Sequence, residues 1–304
     1  MELKLIKVAY IGANIQPFDS IWGGTMATNH AFLKCFENDD EYEISPLFKK
    51  NFIKGFELEQ IKNHIKDADI VHVDTGRALD EMYKAGMKPP DVIGVIARSP
   101  IKKYNTGEPL IYPAEWYYQA KIIRLNWNTE VGHPELVTGL MKHGVDTDRL
   151  KPCNNKKKYV LWAGNAENRV KDYAKFEAIK FDLPEGYEWK TLSKYNVEDY
   201  WELLKETAIL INTSLFETFC CCAFEAMACG VPVIWKKELQ GKGIHENAGV
   251  RVEDTVKDYR FKIVDLLNNE RYVDEGLKCR KYVEENCTFE IMKESIKNVY
   301  KAKK

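Results

Sequence analysis

Two carboxylates, Glu217 and Glu225, stand in the stretch from Leu210 to Ile234, which reads LINTSLFETFCCCAFEAMACGVPVI. The apolar run predicts a buried strand ending at Thr213. A loop carrying Glu217 follows, then a helix that starts near Cys221, bears Glu225 and stops at Gly230, with Pro232 opening the next strand. Glu217 then lies at the carboxyl end of a strand, where open parallel sheets bind ligands. The helix start offers backbone N–H groups and a partial positive charge, a natural seat for phosphate. Glu225 is expected in the first turn or so of that helix. Carboxylates at these two places can accept hydrogen bonds from sugar hydroxyls. The plainer reading of the same residues is a helix with one apolar face and two solvated glutamates.

Three adjacent cysteines, Cys220, Cys221 and Cys222, raise a metal site. Neighbouring residues on a strand or helix point different ways, and the spacing lacks the two separated pairs of a zinc site. Small buried apolar residues are the better reading for these and for Cys35, Cys153, Cys229, Cys279 and Cys287. His72, in the strand pattern Val71-His-Val-Asp74, either faces a cleft or sits in the core, the core being favoured. No G-x-G-x-x-G follows the first apolar run, which argues against a nicotinamide-dinucleotide enzyme, and no G-x-x-x-x-G-K-[ST] occurs, which excludes a P-loop NTPase.

The elements that must position these residues form two series. In the first, Lys7–Gly12, Tyr42–Phe48, Ala68–Asp74, Asp91–Ala97 and Ile122–Asn126 read as strands. Thr25–Phe36, Leu58–Lys66, Leu79–Ala85 and Ala114–Ala120 read as helices. A polar, proline-bearing segment, Lys151–Lys158, follows as a linker. In the second series, strands are expected at Tyr159–Ala163, Trp189–Ser193, Ala208–Asn212, Val231–Trp235 and Gly249–Val252. Helices are expected at Lys171–Ile179, Val197–Lys205, Cys222–Ala228 and from Val256 to the end. This alternation predicts an α/β chain of two Rossmann-like parallel-sheet domains, 1–150 and 151–304, facing a cleft, with a final helix free to cross back to the first domain.

The 304 residues suffice for two such cores, and 45% hydrophobic content fits a globular chain. A net charge of −1 gives no global pull toward nucleic acid or membrane. Charged residues interrupt the first apolar residues, so no secretory signal is expected, and no run has the length of a spanning helix. The expectation is a cytoplasmic protein with reduced thiols, a peripheral membrane location remaining open. The two glycosylation sequons, at Asn212 and Asn286, then carry no meaning.

The Leu210–Ile234 string resembles the E-x₇-E signature of retaining GT-B glycosyltransferases, family 4 in particular, through Ser214, Glu217, Phe219, Glu225, Ala226, Met227, Ala228, Gly230, Pro232, Val233 and Ile234. The resemblance implies a GT-B fold and transfer of a sugar, with retention, from a UDP- or GDP-linked donor. It gives Glu217 the donor sugar, Glu225 the ribose, and the backbone of Thr218, Phe219 and Cys220 the diphosphate. Cys220 stands where that family has glycine, so its side chain is expected to crowd the phosphate loop. His143-Gly-Val-Asp-Thr-Asp-Arg-Leu-Lys-Pro152 is similar to the family's string between domains, with His143 in place of Asn. Tyr159–Gly164 is similar to the strand that opens the donor domain. The family's diphosphate-neutralising cations fall on Arg169 and Lys171, since Asn165 occupies the usual Arg position. Gly23-Gly24 resembles the glycine-rich loop of the first domain, and Tyr195-Asn196 the residues flanking the base.

No metal or other cofactor is implied. The acceptor stays open among glycan, lipid and modified DNA. Trp116, Tyr117, Tyr118 and Trp127 are candidates to line its site, with core packing the alternative. Arg98, Lys102, Lys103 and the Lys301–Lys304 tail form basic clusters, best read as solvated. Two rivals stand beside the main reading. One is a phage-type enzyme glucosylating hydroxymethylated DNA bases, which the Gly230–Lys236 string faintly resembles. The other is a nucleotide-sugar-binding protein that has lost catalysis, for which Cys220 and Asn165 speak.

Overall fold

The computed structural model describes residues 4–13, 24–49, 58–73, 92–96, 120–124, 137–155, 157–215, 217, 219–239 and 247–301. The expected helix at Leu79–Ala85, nearly all of that at Ala114–Ala120, and the candidates Arg98, Lys102, Lys103, Trp116, Tyr117, Tyr118 and Trp127 lie outside the described residues. The chain divides into two compact units. The first draws on Met1–Gln16, Thr25–Gly144 and Phe289–Lys304, the second on Pro17–Gly24 and Val145–Thr288. Among the described residues no helix is long and apolar enough to cross a membrane.

The first unit is built on a parallel sheet of six strands: β1 (Ile6–Ala13), β2 (Tyr42–Lys49), β3 (Ile70–Val73), β4 (Val92–Ile96), β5 (Ala120–Arg124) and β6 (Val137–Leu140). Their order is β2-β1-β3-β4-β5-β6. Both faces of β1 are covered, which is why it reads as an apolar run from Val8 onward. Val8 and Tyr10 pack with Ala31 and Phe32 of α1 (Gly24–Cys35), while Ile11 packs with Ile61 of α2 (Leu58–Ile65). Pro46 is tolerated because β2 is an edge strand, where a missing ladder donor is harmless. His72 is a core residue: its Nδ1 is hydrogen-bonded to the Tyr300 hydroxyl at 2.7 Å, and burial depresses it to about 3, keeping the ring neutral.

Tyr300 belongs to α8 (Phe289–Lys301), which contributes Met292, Ile296 and Val299 to the same core. An ion pair ties this helix to the turn after α1. Lys297 Nζ lies 2.9 Å from Asp39 Oδ2, and the backbone amides of Glu41 and Tyr42 donate to Asp39 Oδ1. Burial works to raise the Asp39 carboxyl, but Lys297 and the two amides outweigh it and hold it below its ordinary value.

The second unit has five parallel strands, β7 (Tyr159–Gly164), β8 (Glu188–Ser193), β9 (Thr207–Ile211), β10 (Val233–Lys236) and β11 (Val250–Val252), in the order β11-β10-β9-β7-β8. Every residue of β9 is buried. One face packs on α4 (Val197–Leu204), α5 (Cys221–Ala228) and α7 (Tyr272–Asn286), through Tyr200, Ala223, Phe224, Met227, Cys279 and Val283. The other packs on α3 (Tyr173–Ile179) and α6 (Val256–Leu267), through Phe176, Ile179, Tyr259 and Ile263.

Two sequence expectations need correction. The helix expected over Lys171–Ile179 is a 3₁₀ turn at Arg169–Lys171 and then α3, separated by Asp172 in a left-handed conformation. The helical region from Val256 onward is three helices, broken by a 3₁₀ turn at Asn268–Glu270 and by Cys287-Thr288.

α7 passes Gly230 at backbone contact. Gly230 ends α5 with φ of +71°, and a Cβ added to Gly276 would sit 1.9 Å from the Gly230 carbonyl oxygen. Gly276→Ala therefore has no room unless backbone moves. Overpacking of this kind costs about 1–3 kcal/mol, and urea unfolding should show a loss in that range. For the Asp39 pair the sign follows from its lowered value. Its contribution is full above the unfolded carboxylate range and is lost as pH falls through the folded value. Asp39→Asn should therefore be less stable than wild type at neutral pH, and the gap should close in acid, as read by unfolding curves at both.

Candidate functional site

The site is laid out by what happens after β9. Asn212 continues the ladder by donating its backbone N–H to Ile234 O at 2.9 Å, and its own carbonyl accepts from Tyr259 Oη at 3.0 Å. With its backbone fixed on both sides, the side chain spans the loop that follows. Oδ1 accepts from Ser214 N at 3.0 Å and Nδ2 donates to Cys220 Sγ at 3.1 Å, so one buried amide ties the start of the loop to its end. The loop is also laced to the 3₁₀ turn after β7. Thr213 Oγ1 accepts from Trp162 Nε1 and donates to Lys171 O, and Leu215 N donates to Val170 O.

This lacing brings Lys171 and Glu217 together. Lys171 Nζ and Ser214 Oγ each donate to Glu217 Oε1 at 2.6 Å. Glu217 is only 8% exposed, so the reading of a solvated surface carboxylate is wrong for it. Burial alone would push its carboxyl upward. The Lys171 cation, together with the Ser214 hydroxyl, outweighs that and holds it below its ordinary value. Lys171 is the mirror case: burial works against its charge, and the Glu217 carboxylate raises it net. Each group stays ionised because of the other. Sequence reasoning gave Ser214 no role beyond its match in the string and passed over Asn212. The available signals were the Asn-x-Ser spacing at a strand end, which favours a turn closed by the Asn side chain, and the Ser lying three residues before Glu217.

α5 starts at Cys221, and no side chain caps it. Cys220 occupies the cap position in a left-handed conformation, φ 68° and ψ 66°, which glycine adopts freely and other residues seldom do. The Cys220 thiol itself is buried and accepts a hydrogen bond from Asn212. The three thiols do not simply diverge, either. Because the left-handed residue breaks the helical period, Cys220 Sγ and Cys222 Sγ lie 3.7 Å apart.

Glu225 is the fifth residue of α5, in its second turn rather than its first, and is 4% exposed, so it too is no surface glutamate. The Phe219 ring is core, stacked on Phe224 at 4.2 Å, which leaves only its backbone for a ligand. Thr218 lies outside the described residues, as does Gly23. Gly24, grouped with the second unit, has its carbonyl 3.9 Å from Cys221 Sγ. Tyr195, half-buried, packs on Tyr200 with ring centroids 5.0 Å apart. Burial raises its hydroxyl well above the ordinary value, with Cys222 and Glu225 adding to the effect.

Arg169 is not drawn into the pair. It is exposed on the 3₁₀ turn and makes no ion pair among the described residues. Asn165 is likewise exposed, its Oδ1 accepting from Glu167 N at 3.1 Å. His143 is structural. Its Nδ1 bonds to Gly144 O and its Nε2 to Thr28 Oγ1, each at 2.9 Å, and burial depresses it to about 4, so it is neutral. Among the described residues no group of three or more His, Cys, Asp or Glu is placed to hold a metal ion.

Residues 149–269, the stretch that contains this site, match the family model of glycosyl transferases group 1. No curated protein matches the chain. Solved structures share the fold along nearly the whole chain. Sucrose-phosphate synthase from Thermosynechococcus elongatus aligns with a TM-score of 0.67 at 13% identity, covering 97% of this chain and 98% of its own. HepE from Anabaena, in complex with UDP and glucose, gives 0.66 at 11% identity, covering 98% and 100%. An α-glucosyltransferase in complex with UDP and a 13-mer DNA containing an HMU base gives 0.67 at 12%, covering 98% and 99%. The match over residues 149–269 and the GT-B fold, with a parallel sheet in each unit, make the chain a glycosyltransferase enzyme.

Proposed function

We propose that the chain is a retaining glycosyltransferase of the family 4 type, moving a sugar from a UDP- or GDP-linked donor to an acceptor hydroxyl. The observation that carries this reading is the Ser214–Glu217–Lys171 cluster at the carboxyl end of β9, next to the uncapped start of α5. A diphosphate needs fixed positive charge, and charge builds on it as the glycosidic bond breaks. The α5 start, with the backbone of Thr218 to Cys220, and Lys171 supply it, and Arg169 on the adjacent turn is free to swing in. Glu217 accepts from donor-sugar hydroxyls through its carboxylate, and Glu225 takes the ribose. Tyr195 flanks the base.

The acceptor hydroxyl attacks from the face the leaving group departs, and the departing phosphate oxygen takes its proton, so no metal is required. Gly24 approaches the donor by its backbone. Acceptor recognition falls to the first unit, and the site of action is the cytoplasm. Modified DNA deserves a place among the acceptors tested beside glycans and lipids, because a structure of this fold holds such DNA.

A thermal-shift screen of UDP- and GDP-sugars should identify the donor, since a ligand bound only by the native state raises the melting temperature. With that donor, Glu217→Gln and Lys171→Ala should each lower turnover by about 100-fold or more, the scale set by loss of one preorganised electrostatic contact. Unchanged turnover in either would refute the assignment, and donor binding with no turnover in wild type would favour the inactive rival. The lowered Glu217 carboxyl keeps its charge well into acid. Donor affinity should thus stay level from neutral pH down through the ordinary carboxylate value of about 4.3 and fall only below it, as titration calorimetry across pH would show.

A further inference from the structure

The thiols of Cys220 and Cys222 are not needed by the chemistry above, yet they stand where the donor phosphates are read. Cys220 Sγ accepts from Asn212 Nδ2 at 3.1 Å and lies 3.7 Å from Cys222 Sγ. Cys220 is buried and Cys222 half-buried, so Cys222 is the more accessible residue of the two. We propose that Cys220 and Cys222 are a redox modification site, closing a reversible disulfide across the start of α5 that weakens donor binding. The functional half of this inference rests on the donor-site reading. The chemical half does not.

The geometry carries it. Two residues apart in a regular helix, side chains diverge. Here the left-handed Cys220 stands outside the helix and turns its sulfur back toward Cys222. Closing the bond needs the sulfurs to approach from 3.7 Å to about 2.05 Å. Any share of that movement made by Cys220 disturbs its bond to Asn212, which ties the two ends of the Glu217 loop. The loop loses its closing contact and the α5 start loses its set backbone.

The Cys222 thiol is also the one prepared to react. The adjoining Cys220 S–H lowers it, burial opposes, and the Lys171 cation adds to the lowering. The oxidant required is a low-molecular-weight disulfide. Cys222 thiolate attacks one of its sulfurs, the S–S bond breaks, and one thiol leaves. Cys220 then attacks the Cys222 sulfur of the mixed disulfide, and the second thiol leaves. Two protein thiols are oxidised, one small disulfide is reduced to two thiols, and the two cysteine protons go to them.

The full-length chain incubated with oxidised glutathione should lose two hydrogen atoms by intact mass. Peptide mapping should place the bond between Cys220 and Cys222, and dithiothreitol should reverse it. Cys222→Ser should abolish that bond and Cys221→Ser should retain it. Donor affinity, measured by calorimetry before and after oxidation, should fall about tenfold or more and recover on reduction. A bond involving Cys221, a stable glutathione adduct at Cys222, or no bond at all overturns the proposal. So does a disulfide that leaves donor affinity unchanged. A reduced chain that binds no nucleotide-sugar refutes the donor-site reading instead, while the mass measurement still scores the disulfide.

Discussion

A carboxylate 8% exposed to solvent keeps its charge only if a counter-charge is held against it, and the second unit is arranged around meeting that condition for Glu217. Isolated burial of a carboxylate costs several kcal/mol even after relaxation. Lys171 supplies the opposite charge from a different loop, so the two loops have to be locked in register. The hydrogen bonds of Thr213 to Lys171 O and of Leu215 N to Val170 O are that lock. The Trp162 indole, anchored in the neighbouring strand, fixes Thr213 in turn. The pair is thus the reason for the lacing, and the lacing is what holds a cation and a carboxylate ready at the end of a buried strand.

Asn212 plays the same part for the start of α5. Its backbone is still sheet, and its side chain is already loop. One amide therefore transmits the position of β9 both to Ser214, and through it to Glu217, and to Cys220 at the start of α5. The carboxylate and the helix start are consequently set by a single residue, which keeps sugar and phosphate subsites in fixed relation in the proposed complex.

Most of the second unit was legible in the sequence for a physical reason. Strands of a parallel sheet are buried on both faces and read as plain apolar runs, so Tyr159–Gly164, Thr207–Ile211 and Val233–Lys236 appear within a residue or two of where the pattern places them. What the pattern does not encode is conformation at single residues. Asp172 and Cys220 both adopt left-handed backbones without being glycine, and these residues split one expected helix and fold the cysteine run back on itself. Nor does it encode burial of charge. Glu217 and Glu225 are indistinguishable from solvated glutamates by composition, and only the string around them marks them out. Ser214 and Asn212 matter through contacts a few residues away, which a periodicity argument does not see. Arg169 and Lys171 were read as equals, whereas the structure places only Lys171 against Glu217, because the 3₁₀ turn sends its residues in different directions.

Cysteine at position 220 looks at first out of place in a left-handed conformation. A non-glycine residue in the left-handed region costs roughly 1–2 kcal/mol. Three things offset it here: a buried thiol, a hydrogen bond from Asn212 and a second sulfur as neighbour. A glycine would hold the same backbone without that expense but could not reach Asn212, leaving the buried amide of that residue short of an acceptor. The thiol and Asn212 are therefore one unit. The loop geometry that glycine secures by having no side chain is secured here by a side chain with a partner. That substitution of contact for permissiveness also makes the geometry answerable to the chemistry of sulfur.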